Sequence, residues 1–218
     1  MGLFDWLFGG KRLPQIQSRV WMSEDALWKK FSAEVHDELT QGRHVLLVCH
    51  FPDTWERTVN WLEGSTIAFE DIQVRTLQEL RNLLRGRQPN IWLMAAHEIP
   101  PIDDENLAEN LQPIRLTVMA TEHHPHSVGD QKLQRLAHAL KAEGGVIIES
   151  ALDQVQFKSF GANVAGMLKA LGMDDSEHIE TPMVARQIAH MQRRIAEKVP
   201  DCPSAESAKD WMDRYAGE

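Results

Sequence analysis

The run Glu122-His123-His124-Pro125-His126 puts three imidazoles and a carboxyl within five residues, the makings of a metal or acid–base site. It follows an apolar run, Leu116 to Ala120, while His50 follows Val45 to Cys49 and His97 with Glu98 follows Ile91 to Ala96. The carboxyl ends of parallel strands share one edge, where α/β domains bind ligands, so a converging cluster is geometrically open to this chain. A metal needs neutral imidazoles that approach one point, and neighbours in a single His-His-Pro-His loop point apart. Exposed loop histidines are the simpler account of His123, His124 and His126, and no metal or cofactor is expected.

Nucleophilic chemistry has less to work with. Cys49 and His50 are adjacent, and adjacent residues on a strand face opposite ways, so Cys49 reads as a small core hydrophobe. There is no G-x-S-x-G elbow for Ser127 or Ser150, and no G-x-x-x-x-G-K-[ST] phosphate loop anywhere. The acids Asp103, Asp104 and Glu105 read as a solvated helix start. Arg81, Arg85 and Arg87 read as a small surface patch for an acidic partner.

The elements that would hold these residues follow from periodicity. Ser23 to Gln41 is an amphipathic helix, with Ser23 as N-cap and Trp28, Phe31, Val35 and Leu39 at helical spacing. Val45–Cys49, Ile91–Ala96, Leu116–Ala120 and Val146–Ile148 are continuous apolar runs, the pattern of strands buried on both faces. Helices over Asp53–Leu62, Thr76–Leu84 and Asp130–Ala142 lie between them, and Ile67 to Val74 holds one short strand or two. Alternating strands and helices predict a doubly wound parallel α/β domain. Beyond Ser150 only helices are expected, over 152–171, 182–199 and 205–215. The predicted organisation is an N-terminal apolar segment (1–18), an α/β domain (19–150) and a helical extension (151–218).

The chain has 218 residues, 23 Lys plus Arg against 32 Asp plus Glu, and a net charge of −9. That field disfavours nucleic acid as a partner. Two cysteines and no apolar run of membrane-spanning length point to a cytoplasmic chain. Leu3, Phe4, Trp6, Leu7 and Phe8 crowd the N-terminus, and are expected to dock on the chain or a second copy, with peripheral membrane contact the other reading. Trp28, Trp55, Trp61 and Trp92 are expected to pack in the core.

Two stretches resemble SecA, the preprotein-translocase ATPase family, in its second RecA-like motor domain. One runs from Phe157-Lys158-Ser159-Phe160-Gly161 through Ala170-Leu171-Gly172-Met173 and on past Pro182, Ile188-Ala189 and Gln192-Arg193. The other is Thr121-Glu122-His123-His124 with Asp130-Gln131 and Leu133. The resemblance covers about residues 19 to 198 and implies a helicase-type RecA fold followed by the start of a long scaffold helix. It also implies ATP hydrolysis between two such domains, through a first domain this chain has no phosphate loop to supply. Where the family continues into Arg-Gly-Arg-Ser-Gly-Arg, this chain reads Gln134-Arg135-Leu136-Ala137-His138-Ala139-Leu140. Arg115, Lys132 and Arg135 are the only nearby cations for a phosphate. The implied function is a pseudo-motor domain that binds protein, with a nucleotide half-site completed in trans as the alternative. Val184, Ile188, Met191 and Ile195 form an apolar face that needs cover, from the domain or from a partner such as a second copy.

Overall fold

In the computed structural model, residues 13–85, 88–102, 111–174 and 177–217 are described. The apolar N-terminal residues Leu3 to Phe8, Arg87 and the acids 103–105 lie outside them. Six strands form one parallel sheet in the order β1-β6-β5-β2-β4-β3: β1 Ile16–Trp21, β2 His44–Cys49, β3 Phe69–Asp71, β4 Ile91–Ala95, β5 Leu116–Ala120 and β6 Gly145–Ala151. The doubly wound α/β expectation holds. The runs that carry no alternation, such as Val45-Leu46-Leu47-Val48, are central and buried on both faces.

Each face has its own core. Leu46, Val48, Trp92, Met94, Val118 and Ile148 point to one face, where Leu80 and Leu84 of α3 (Leu77–Leu84) and Leu133, Leu136 and Leu140 of α4 (Ser127–Leu140) cover them. Val45, Leu47, Cys49, Leu93 and Ile147 point to the other, against Leu27, Phe31 and Val35 of α1 (Glu24–Thr40) and Leu62 of α2 (Pro52–Gly64). Ser23 caps α1 through Ala26 N–H, and Thr76 with Glu79 forms a reciprocal capping box on α3. Trp92 is fully buried, whereas Trp28, Trp55 and Trp61 are half-buried on the outer helices.

Strand β1 is absent from the expectation. Gln17, Ser18 and Arg19 break its apolar pattern, and it forms because the edge of β6 supplies a parallel partner from Ile16↔Val146 to Trp21↔Ala151. The helix expected over 152–171 also divides. A short 3₁₀ turn, Val155–Phe157, precedes α5 (Gly161–Ala170), because Gln154 and Gln156 are turned inward to the loop after β5.

The reading of Arg81 as surface charge is overturned. Its side chain is 1% exposed and donates to the carbonyls of Leu140 (2.9 Å), Ala139 (3.3 Å) and Gln112 (2.7 Å), closing the C-terminal end of α4. Burial, together with the nearby Arg85 charge, pulls its pKa down from the usual arginine value. Arg81→Met keeps the volume and leaves these carbonyls without a donor. It should cost about 2–3 kcal/mol in urea unfolding, with an unchanged slope against denaturant.

A third core forms beyond the carboxyl edge of the sheet. It joins Val20, Met22 and Phe51 to Leu152, Phe157, Leu168, Ile179 and Trp211, and to Val184, Ile188, Met191 and Ile195 of α6 (Pro182–Lys198). The face proposed as an interface is therefore covered by this chain itself: those four residues are 1–8% exposed. Ile179 also bridges to Val20 on the edge of β1 (2.8 and 3.1 Å).

Candidate functional site

The strand order reverses between β2 and β5. The loop after β2 leads into α2 on one face and the loop after β5 into α4 on the other, the arrangement that opens a ligand crevice in α/β sheets. His50 and residues 121–126 stand there. Every one of Thr121, Glu122, His123, His124, His126 and Asp130 is buried, so the exposed-loop expectation for the histidines fails. His97, by contrast, is exposed and takes no part.

Asp130 organises this region from the first turn of α4. Its Oδ1 accepts the His124 backbone N–H (2.9 Å), and its Oδ2 lies 2.6 Å from His123 Nδ1 and accepts Gln192 Nε2–H (2.7 Å). His50 Nε2 is 3.5 Å from Oδ1. Burial alone would raise the Asp130 pKa, but the charge and hydrogen bond of His123, with His50 behind, hold it well below the carboxylate range.

The other two imidazoles are committed elsewhere. His124 Nδ1 accepts the His126 N–H (2.9 Å), and its ring stacks on Phe51 at 5.0 Å with Trp211 edge-on at 5.5 Å. Burial, reinforced by His50, drives its pKa down to about 3, so it is neutral. His126 Nδ1 accepts Val128 N–H as the N-cap of α4, and its Nε2 faces the Val199 carbonyl at 3.0 Å. Among the described residues no set of three His, Cys, Asp or Glu could hold a metal ion. The spacing of the run is used to fold a loop.

Three glutamines close that loop from the C-terminal half. Gln154 Nε2 donates to Thr121 O (3.0 Å), Gln156 Nε2 to His123 O (3.2 Å) and Gln192 Nε2 to His124 O (2.9 Å). Spacing does not reveal this role, because the backbone carbonyls they hold lie over 30 residues away. Gly129 lets α4 come this close: a Cβ there would lie 2.3 Å from His124 Cγ. Gly129→Ala should push His124 off Phe51 and cost about 1–3 kcal/mol, read by thermal unfolding and by loss of the His124–Trp211 ring-current shift.

Neither cysteine is built as a nucleophile. Burial pushes Cys49 up to about 12, with Thr58 Oγ1 at 3.6 Å from its sulfur. Cys202 Sγ lies 3.8 Å from His124 Nε2, but that imidazole is neutral, and burial raises the Cys202 pKa as well. Glu122 accepts from the Thr54 hydroxyl; burial, with Asp53 nearby, lifts its pKa to about 8, so it is a neutral acid at pH 7.

The three phosphate candidates are not brought together. Lys132 is exposed on α4, and Arg135, one turn on, donates to the Ile102 carbonyl (3.0 Å). Arg115 precedes β5, at the opposite, amino edge of the sheet, and donates to Gln41 O (2.5 Å).

Comparison with known proteins agrees with the resemblance in sequence. No family model matches the chain. Protein translocase subunit SecA of Desulfotalea psychrophila is 24% identical over 179 residues, 81% of this chain and 21% of that protein. The Carboxydothermus hydrogenoformans SecA subunit is 27% identical over 122 residues (55% and 14%), and that of Thermus thermophilus 33% over 84 residues (38% and 8%). The chain thus spans about a fifth or less of these relatives. Among solved structures, the C-terminal part of the Fun30 ATPase domain aligns with a TM-score of 0.42 and 16% identity over 79% of this chain and 53% of that one. The chain is similar in sequence to SecA over 81% of its length, and its own parallel sheet, covered by helices on both faces, is doubly wound α/β.

Proposed function

We propose that this SecA-like domain is a pseudo-motor: it hydrolyses no ATP of its own and acts as a cytoplasmic protein-binding or regulatory module that docks on a motor ATPase in protein export. One observation carries the reading. Where the resemblance calls for Arg-Gly-Arg-Ser-Gly-Arg, α4 runs unbroken to Leu140 and turns Leu133, Leu136 and Leu140 into the core. Arginines that stabilise charge on a transferring phosphoryl group must reach into a cleft; of their three positions Leu136 packs into the sheet core, Ala139 is buried and Gln134 donates to the Pro14 carbonyl. The sealed carboxyl edge supports the same reading, since residues 192–211 of the chain occupy the usual ligand crevice.

The direct test pairs calorimetry with ATP and ADP on the isolated chain with phosphate-release assays of a SecA ATPase with and without it. The expected result is no nucleotide binding by the chain and a changed rate in the motor. Tight ATP or ADP binding by the chain alone would instead establish the alternative, a half-site completed in trans. An unchanged motor rate together with no co-sedimentation would overturn the docking.

A further inference from the structure

A cleft of about 470 Å³ opens at the amino edge of the sheet, at the opposite end from the sealed loops. Its lining comes from the approaches to β2 (Gly42, His44), to β4 (Gln88, Pro89) and to β5 (Pro113, Ile114, Arg115), and from the end of α3 (Leu84, Arg85). No Asp or Glu is among these residues, in a chain with 32 of them. Arg85 and Arg115, thirty residues apart in sequence, both line it.

Both guanidiniums are available to a ligand. Among the described residues neither is in an ion pair with a carboxylate; Arg85 makes no side-chain hydrogen bond, and Arg115 gives one N–H to Gln41 O. The Arg115 plane is set by Gly42, whose φ of +74° and missing Cβ let the group lie flat on the backbone. A Cβ there would stand 2.9–3.0 Å from Nη2, Cζ and Nη1. A positioned arginine that has no carboxylate partner among the described residues, lining the same cleft as a second one, matches a doubly charged oxyanion, which accepts from both forks. Of the remaining walls Leu84, Ile114, Pro89 and Pro113 are apolar, and His44 and Gln88 are polar. The volume lies in the range of sites for small organic molecules, with room beyond a bare anion.

We propose that this cleft binds a small phosphate monoester, with the phosphate between Arg85 and Arg115 and an apolar or planar group against Leu84, Pro89 and Ile114. The site is separate from the loop after β5 and does not depend on the pseudo-motor reading.

The experiment is a backbone-amide NMR titration at physiological salt with phenyl phosphate, with inorganic phosphate and phenol as the two halves of that probe, and with a phosphoserine peptide. Phenyl phosphate should shift Gly42, Arg85, Gln88, Ile114 and Arg115 together and bind more tightly than inorganic phosphate, while phenol leaves these residues unmoved. Arg85→Gln, which breaks no internal hydrogen bond, should weaken binding about tenfold or more with an unchanged melting temperature. Arg115→Lys keeps the charge, loses the fork and should fall between the two. The assignment is overturned if millimolar phenyl phosphate leaves those amides in place, or if Arg85→Gln binds as the native chain does. Tighter binding of the phosphoserine peptide would replace the small molecule with a phosphorylated protein.

Discussion

Glu122→Gln is expected to stabilise the protein, by roughly 3–5 kcal/mol at pH 8.5 and by less than about 1 kcal/mol at pH 5. The native carboxyl is buried between β5 and the first turn of α2, takes the Thr54 hydroxyl proton as acceptor, and has its pKa lifted to about 8 by burial and then by Asp53. A raised carboxyl keeps its proton in the fold while the unfolded chain releases it near pH 4.5. Its stability contribution is therefore complete below that value and lost as pH climbs through 8. Glu149, buried beside Trp21 Nε1 (2.6 Å) and raised to about 7 mainly by burial, acts in the same direction. His124, lowered to about 3, works the other way, but its effect is complete above about pH 6.5. The net prediction for the native chain is a loss of about 2–3 kcal/mol between pH 6.5 and 8.5, most of which disappears in Glu122→Gln. Gln keeps an oxygen for Thr54 and cannot ionise. Urea titrations at a series of pH values measure this directly; equal slopes for the two proteins would show that Glu122 is already ionised in the fold.

Asp130→Asn should have the opposite sign and a similar size, a loss of about 3–5 kcal/mol at pH 7. Asp130 is the common acceptor for the His124 backbone, Gln192 and the His123 ring, and Asn can offer only one oxygen to them. Its amide nitrogen would then face the donor of Gln192 or of the His124 N–H, at a buried position. Since the native pKa is depressed, the contribution of Asp130 is full above the ordinary carboxylate value near 4 and fades as pH falls below it. The variant should accordingly lose part of the native acid sensitivity below pH 4. Gln192→Leu, which removes one donor and leaves the carboxylate, should cost less than Asp130→Asn; a loss below about 1 kcal/mol for Asp130→Asn would show that the loop is held by packing alone.

Strand and helix positions were legible where burial enforces a simple pattern. Val45–Cys49 and Leu116–Ala120 are apolar throughout because both faces of their sheet are covered, and Ser23 and Thr76 announce helix starts because only a few side chains can satisfy the first N–H groups. The SecA-like stretches, 121–133 and 157–193, were legible as letters, and so was the replacement of arginines by Leu136 and Ala139.

What one residue does with another 30 to 80 positions away was decided only in three dimensions. Arg81 has the same letters on either side whether it is solvated or locked onto the carbonyls of Leu140 and Gln112, and only the packing of α3 against α4 chooses. The apolar face of α6 announces that it needs cover, but not that Val20, Phe51 and Trp211 of the same chain provide it. The histidine run looked like a ligand set or an exposed loop. It is a buried loop, because Asp130 and three glutamines bond it from elements whose own periodicity does not show that contact. Periodicity records which side of an element is buried. The partner of a buried polar atom depends on where the elements lie, and that is a property of the tertiary structure.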